Sequence, residues 1–287
     1  MIKLFASDLD NTLLNINHES DAFIDETIRQ IVDAGLFFTI ATGRSATRLM
    51  IPNMDDKIYH IYMNGAYITG PDGEMVYKSI MDKEILRELI ESCPEYEFCF
   101  VGADKQYMMI SREKFLAQSF KAPKGMETTP EWIKNYTEMR LKDTDFSLTE
   151  KEILDLDICK INLYVKNDMN LAKMDAFLEK HKDKIINAPT NETIYEITMQ
   201  GVDKGAAVAV LAKYLNLSED ECAVYGDGGN DVTMLKRFKH SYSPADGSPD
   251  VICHASKLLE PYATYSVSKH MRNTLLEQKK RVGKRYG

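Results

Sequence analysis

The chain has 287 residues, of which 44% are hydrophobic and 28% charged, with a formal net charge of −8. That length allows one large domain or roughly two, and the acidic balance argues against nucleic acid or an anionic membrane surface as the main partner. An acidic protein that handles anions must concentrate its positive charge locally.

Five cysteines, Cys93, Cys99, Cys159, Cys222 and Cys253, are scattered without C-x-x-C spacing and read as buried thiols in a reducing compartment. With no secretory leader and no apolar stretch long enough for a bilayer, a cytoplasmic location is expected. The six histidines, His18 among them, lack metal-ligand spacing and are expected at the surface or in satisfied core positions.

In chain order, "LFASDLDNTLL" (Leu4 to Leu14) starts as an apolar strand and ends in Asp8 and Asp10. Residues i and i+2 of a strand share a face, so the two carboxylates are expected to converge. Such like charges are unfavourable unless a cation lies between them or one carboxyl keeps its proton. Ser20 is expected to cap a helix through Ile24, Ile28 and Ile31 that ends at Gly35. The runs "LFFTIA" and "IYHIYM" read as strands that stop at Thr42-Gly43-Arg44 and at Asn64-Gly65. The order β-α-β-α-β predicts a parallel sheet covered on both faces, with ligands at its carboxyl edge.

Around "GPDG" an antiparallel hairpin is expected, followed by mixed helices and strands to about Ala188. This predicts an α/β protein: a Rossmann-like parallel sheet core, residues 1–80 and 189–287, with an inserted α+β domain at 81–188. Pro189 to Asn191 reads as the return linker. Trp132 and the tyrosines of the insert are expected to be core or surface residues. The parallel pattern resumes with Lys204-Gly205 opening an Ala-rich helix, and "CAVYGDGGND" repeats the strand that ends in acid. Short strands near Tyr242 and Val251 and a helix from about Ser268 complete the chain. The basic end, Lys279 to Arg285, reads as a solvated helix face and tail.

Acidic positions at separate strand ends, gathered around Lys204, suit a divalent cation held against a phosphate. Oxygen ligands of this kind favour magnesium over zinc. On these residues the chain resembles the haloacid dehalogenase superfamily, and within it the Cof-type phosphatases. "DLDNT" (Asp8 to Thr12), "ATGR" (Ala41 to Arg44), Lys204 with Gly205, and "GDGGND" (Gly226 to Asp231) occur in the order of that family's four motifs. The insert falls between the second and third, where the family carries its α/β cap.

The resemblance implies a Mg²⁺-dependent phosphatase acting on small phosphomonoesters such as sugar phosphates. It implies Asp8 as nucleophile, forming an aspartyl-phosphate, and Asp10 as general acid and then base. Metal contacts would come from Asp8, Asp10 through its carbonyl, and Asp227, with Asp231 behind them. Leu9, Thr42, Gly43, Arg44, Lys204 and Asn230 would bind phosphate or substrate. Gly229 stands where many Cof-type members carry an acid, and "SPADG" (Ser243 to Gly247) replaces their Met-Gly-Asn stretch. The same residues also fit two alternatives, a phosphomutase using the same nucleophile and a non-catalytic phospho-aspartate binding or signalling module.

Overall fold

The computed structural model describes residues 1–46, 51–117, 137–138, 141–166, 169–189 and 193–286. The chain divides into two compact units, one of Met1–Arg44, Arg48–Lys78 and Asp203–Gly287, the other of Ser45–Thr47 and Ser79–Val202.

The first unit is built on an eight-stranded sheet. Its strands are β1 (Leu4–Ser7), β2 (Phe37–Ala41), β3 (Tyr59–Tyr62), β4 (Tyr67–Thr69) and β5 (Met75–Lys78), with β12 (Cys222–Tyr225), β13 (His240–Pro244) and β14 (Lys257–Leu259) from the end of the chain. They lie in the order β14-β13-β12-β1-β2-β3-β4-β5. From β14 to β3 every pairing is parallel, while β4 and β5 form the antiparallel hairpin. Strand β1 is buried on both faces, which explains its unbroken apolar text.

Side chains alternate across this sheet. Leu4, Ala6, Ala41, Ile61 and Val224 pack against helices Lys204–Tyr214 and Val232–Arg237 through Val208, Leu211, Met234 and Leu235. Phe5, Phe38, Ile40 and Tyr225 are also buried. Helix Ala22–Asp33 packs against helix Ser266–Tyr286, where the Arg272 guanidinium sits 4.1 Å above the Phe23 ring and its Nε donates to Thr27 Oγ1. The first of these helices is capped by Asp21 rather than Ser20: Asp21 Oδ1 accepts from the N–H groups of Phe23 and Ile24, while Ser20 donates to Asp25. Gly35 follows with φ +71, a turn that favours glycine.

The expected strand at Val251 is instead the helical turn Pro249–Ile252, with strand β14 six residues further on. Pro249 has no N–H to give a ladder and its fixed φ suits the first turn of a helix. The last helix starts at Ser266, two residues before the expected position, and Lys279, Lys280 and Arg281 are exposed on it.

The second unit carries a six-stranded sheet of β6 (Cys99–Val101), β7 (Gln106–Met108), β8 (Thr144–Asp145), β9 (Lys160–Tyr164), β10 (Ile185–Asn187) and β11 (Ile194–Met199). Their order is β10-β11-β9-β6-β7-β8, antiparallel except for β7 with β8. Phe100, Ile161, Leu163 and Ile197 on one face pack with Ile85, Leu89, Ile153, Met174 and Phe177 of its helices. On β9 and β11, Lys160 and Glu196 form an ion pair of 2.5 Å whose side chains are 3% and 4% exposed.

The boundary expected at residue 189 therefore shifts. Strand β11 pairs with β9 and β10, so the second unit runs on to Val202. Of the expected linker, Thr190 and Asn191 lie outside the described residues, as does Trp132. Four of the cysteines are buried thiols as expected, but Cys253 is exposed.

Candidate active site

Three neighbouring strands bring the acidic and polar turns to one edge. Ser7 is level with Ile40 on β2 and Tyr225 on β12, so the residues that follow each strand emerge side by side. The Asp8 N–H donates to the Tyr225 carbonyl at 2.9 Å, and this bond ends the ladder. Beyond it Leu9–Leu13 forms a tight turn with Asn11 at φ 56, closed by the Leu14 N–H on the Leu9 carbonyl. Leu9 itself is wholly buried.

Since the strand stops at Ser7, its two-residue period does not govern Asp10, and the expected convergence of Asp8 and Asp10 gives way to two different sets of partners. Asp8 Oδ1 accepts from Lys204 Nζ at 2.6 Å. The same ammonium donates to Asp231 Oδ1 at 2.7 Å, and both Lys204 and Asp231 are wholly buried. Lys204 is placed by the first turn of its helix, which Asp203 caps by accepting from the Ala206 N–H. Gly205 next to it lets that helix approach the following one: a Cβ there would lie 2.7 Å from the Thr233 carbonyl.

The loop after β12 folds around Asp231. Its Oδ2 accepts from the N–H groups of Asp227 and Gly228, each at 2.9 Å. A Cβ on Gly226 would come 2.4 Å from Asp231 Cγ, so only glycine fits beneath this carboxylate. Asp227 in turn accepts a hydrogen bond from the Thr12 hydroxyl of the first motif.

Carboxylate oxygens of Asp8, Asp227 and Asp231 lie within 4.8 Å of one another, the one such acidic cluster among the described residues. Charge is unbalanced there. Burial raises the Asp8 pKa well above the usual carboxylate range, against the pull of Lys204 and with further repulsion from Asp231, Asp227 and Asp10. Burial and then Asp231 push Asp227 up to about 7, with Thr12 and Lys204 opposing. Lys204 keeps its proton: burial works against the charge, but Asp231 and Asp8 more than offset it. Several hard oxygen donors with one ammonium among them fit a divalent cation. Both oxygens of Asp231 already accept hydrogen bonds, which leaves Asp8 and Asp227 as the better placed side-chain donors.

Asp10 has its own clamp. Arg44 Nε donates to Asp10 Oδ2 at 3.0 Å and Nη2 donates to Oδ1. His18 Nδ1 lies 3.2 Å from the same Oδ1. Burial alone would raise Asp10, but the His18 hydrogen bond and the Arg44 charge outweigh it and hold the carboxyl below its ordinary range. Arg44, expected as a substrate contact, is thus a partner of Asp10 here, and Asp10, expected to hold a proton, is held as the anion. His18 was expected at an ordinary surface or core position; its left-handed backbone, φ 58, aims it at the site instead. The only signal for it in sequence is its place shortly after the first motif.

Thr42 is buried, and its Oγ1 accepts from the Arg44 N–H at 3.1 Å across Gly43. Asn230, expected beside the phosphate, donates through Nδ2 to Asn64 Oδ1 at 3.0 Å. Asn64 ends β3 in a left-handed turn with Met63, and its N–H reaches the Thr42 carbonyl. Gly65 at φ +110 completes that turn, where a Cβ would lie 2.6 Å from the Asp203 carbonyl. Asn64 therefore joins the loops after β2, β3 and β12, a role that its turn position alone does not reveal.

A lysine bridging two carboxylates, at the carboxyl edge of a parallel sheet whose chain is interrupted by a second α+β unit, defines an α/β protein with a buried ionic centre at the edge where such sheets bind ligands. The chain matches the haloacid dehalogenase-like hydrolases over residues 5–271 and belongs to that family. Phosphatase YwpJ of Bacillus subtilis is 24% identical over 273 residues, covering 87% of this chain and 92% of that protein. The 5-amino-6-(5-phospho-D-ribitylamino)uracil phosphatase YbjI of Escherichia coli is 23% identical over 261 residues, covering 88% and 89%. A solved haloacid dehalogenase-like hydrolase from Bacillus subtilis shares the fold with a TM-score of 0.77 at 22% identity, covering 94% of this chain and 99% of that one. The protein is accordingly an enzyme, a hydrolase whose named relatives are phosphatases.

Proposed function

We propose that this hydrolase releases phosphate from small phosphomonoesters, sugar phosphates or similar metabolites, through an aspartyl-phosphate on Asp8. The observation that carries the reading is the Lys204 ammonium, 2.6 Å from Asp8 and 2.7 Å from Asp231 in a buried cluster. Asp8 attacks phosphorus while protonated Asp10 gives its proton to the departing alkoxide. Asp10, now the anion, takes a proton from the water that attacks phosphorus, the Asp8–phosphate bond breaks, and inorganic phosphate leaves.

Asp10 cannot donate a proton while Arg44 and His18 hold it as a carboxylate. Arg44 turning to the substrate would release it, which reconciles the observed pair with the substrate-binding role. Lys204, the Thr42 hydroxyl and main-chain groups at Leu9 and Gly43 hold phosphoryl oxygens. Asp8, Asp227 and the Asp10 carbonyl would hold Mg²⁺, which when bound neutralises the charge that sets an anionic nucleophile against an anionic ester. Asn230 acts through Asn64 by fixing the loop. The second unit serves as the cap that selects substrate, and the phosphorylated ribityl chain named for the relative YbjI supports a polyol or sugar phosphate. Buried free thiols support a reducing, cytoplasmic setting. No helix among the described residues is long and apolar enough to cross a membrane.

The test is phosphate release from an aryl phosphate and from a panel of sugar phosphates. Activity is expected to need a divalent cation and to vanish in Asp8→Asn. Metal-independent turnover, or turnover that survives this substitution, would overturn the proposal.

A further inference from the structure

Strand β3 ends in three consecutive residues with positive φ: Met63 at 52, Asn64 at 56 and Gly65 at 110. Glycine adopts that region freely and asparagine with some ease, but for methionine it is a costly outlier. Met63 is wholly buried and Asn64 is only 1% exposed. An Asn-Gly pair that served only to reverse the chain would have no need to bury its amide.

The left-handed pair achieves what an extended continuation of β3 cannot. In a strand, successive N–H groups point to opposite sides. Here both turn toward the loop after β2, where the Met63 N–H donates to the Arg44 carbonyl at 2.9 Å and the Asn64 N–H to the Thr42 carbonyl at 3.0 Å. These two bonds bracket Gly43 and fix the Thr42–Arg44 stretch at both ends. The Asn64 side chain reaches a second loop, its Oδ1 accepting from Asn230 Nδ2 at 3.0 Å. Gly65 meets a third element: a Cβ on it would lie 2.6 Å from the Asp203 carbonyl and 2.9 Å from Ala207 Cβ, so the turn lies against the start of the helix that carries Lys204. One short turn thus touches the loop of Thr42, the helix of Lys204 and the loop of Asn230. Strained backbone persists where its surroundings over-determine it, and such outliers cluster at sites that depend on fixed geometry.

We propose that Asn64 is a positioning residue of this hydrolase: its main chain sets the Thr42 loop and its side chain sets the Asn230 loop, so that the groups holding the phosphoryl oxygens keep a fixed spacing. The inference rests on the phosphomonoesterase reading above and adds to it a residue that acts without touching the reacting atoms. Donors that meet charge as it develops must already be in place, so a loosened cradle costs more in the transition state than in the bound ester. The loss should fall on kcat rather than on KM.

The experiment compares two variants and their combination. Asn64→Gly keeps the left-handed backbone and its N–H but deletes the side-chain acceptor, and Asn230→Ala deletes the donor of the same bond. Turnover of 4-nitrophenyl phosphate with Mg²⁺ is measured on samples whose folded fraction is established by thermal melts. Each single variant should lower kcat about tenfold or more while KM stays within about threefold. The double variant should be slower than the weaker single variant by no more than about threefold, because both changes remove one interaction. In ¹⁵N spectra of Asn230→Ala the Thr42, Gly43 and Arg44 amides should move although Asn230 stands in another loop, and their response to inorganic phosphate with Mg²⁺ should weaken. A merely structural role would lower the melting temperature and leave the kcat of the folded protein unchanged.

Wild-type kcat in Asn64→Gly, losses that multiply in the double variant, or unmoved Thr42–Arg44 amides in Asn230→Ala would each overturn the proposal. A wild-type protein that binds inorganic phosphate at these amides but does not turn over the ester would instead overturn the phosphatase reading, and the amide comparison then decides the role of Asn64.

Discussion

Lys204 Nζ and Asp8 Oδ1 are 2.6 Å apart although 196 residues separate them in the chain. The ammonium is wholly enclosed, with Asp231 on its other side. Lys204→Met leaves these carboxylates buried without their counter-charge. A buried pair broken in this way costs about 3–5 kcal/mol, so the variant should unfold at markedly lower denaturant concentration and show no phosphatase activity. Asp8→Asn removes a carboxyl that burial already disfavours as an anion, so it should abolish turnover without loss of stability. Parallel denaturant titrations and phosphate-release assays distinguish these outcomes.

The acidity of Asp227 gives a pH dependence of defined sign. Its ordinary value is 3.8 and in the folded protein it is pushed up to about 7, chiefly by burial and then by Asp231. Between these values the folded state holds more protons than the unfolded state, so stability falls as pH rises through the window. The metal-free protein should therefore melt lower at pH 7.5 than at pH 5.5 on this account, and Asp227→Asn should flatten the slope. Adding Mg²⁺ should raise the melting temperature most at the higher pH, where the carboxylates are charged. Scanning calorimetry with and without chelator measures each effect.

His18 and Asp10 form a second titrating pair. The hydrogen bond to Asp10 raises the His18 pKa above 6.5, against the effect of burial. Its stabilising share is therefore fully present below the unfolded histidine pKa and is lost as pH rises through the elevated folded value. The His18 ring resonances should titrate above 6.5 in the wild type and move toward the ordinary value in Asp10→Asn. A residue that tunes Asp10 should, when changed to Gln, shift the acid limb of the rate profile more than it changes KM.

Two glycines should resist even alanine. A Cβ at Gly205 would meet the Thr233 main chain at 2.7 Å, and one at Gly226 would meet Asp231 at 2.4 Å. Overpacking of this kind costs about 1–3 kcal/mol, and at Gly226 it also displaces the carboxylate that Lys204 needs. Gly205→Ala should chiefly lower stability, whereas Gly226→Ala should lower activity as well. Gly73, at φ +75 with open space around it, should suffer from alanine only through its backbone. Chemical denaturation of the three variants, beside their turnover rates, checks the ranking.

The order of strands and helices in the first unit could be read from the chain because a buried parallel strand needs a continuous apolar run, and such runs end abruptly at Asp8, Thr42, Asn64 and Asp227. Local chemistry of that kind is carried by neighbours in sequence. It also marked Lys204-Gly205 as a helix start and Asp72-Gly73 as a turn. What neighbours cannot specify is which distant partner satisfies a polar side chain. Arg44 on Asp10, His18 beside it, Asn64 on Asn230 and Asp231 across its own loop are all choices made when separate turns meet at one sheet edge. The second boundary was hidden for the same reason: β11 is an ordinary strand by its text, and only its hydrogen bonds to β9 and β10 assign it to the second sheet. Sequence by itself thus determined which residue types stand at the ends of the core strands and hence the chemistry available there. Tertiary structure decided which of those groups are paired, buried or charged, because pairing depends on distance through space and the cost of burying a charge depends on everything packed around it.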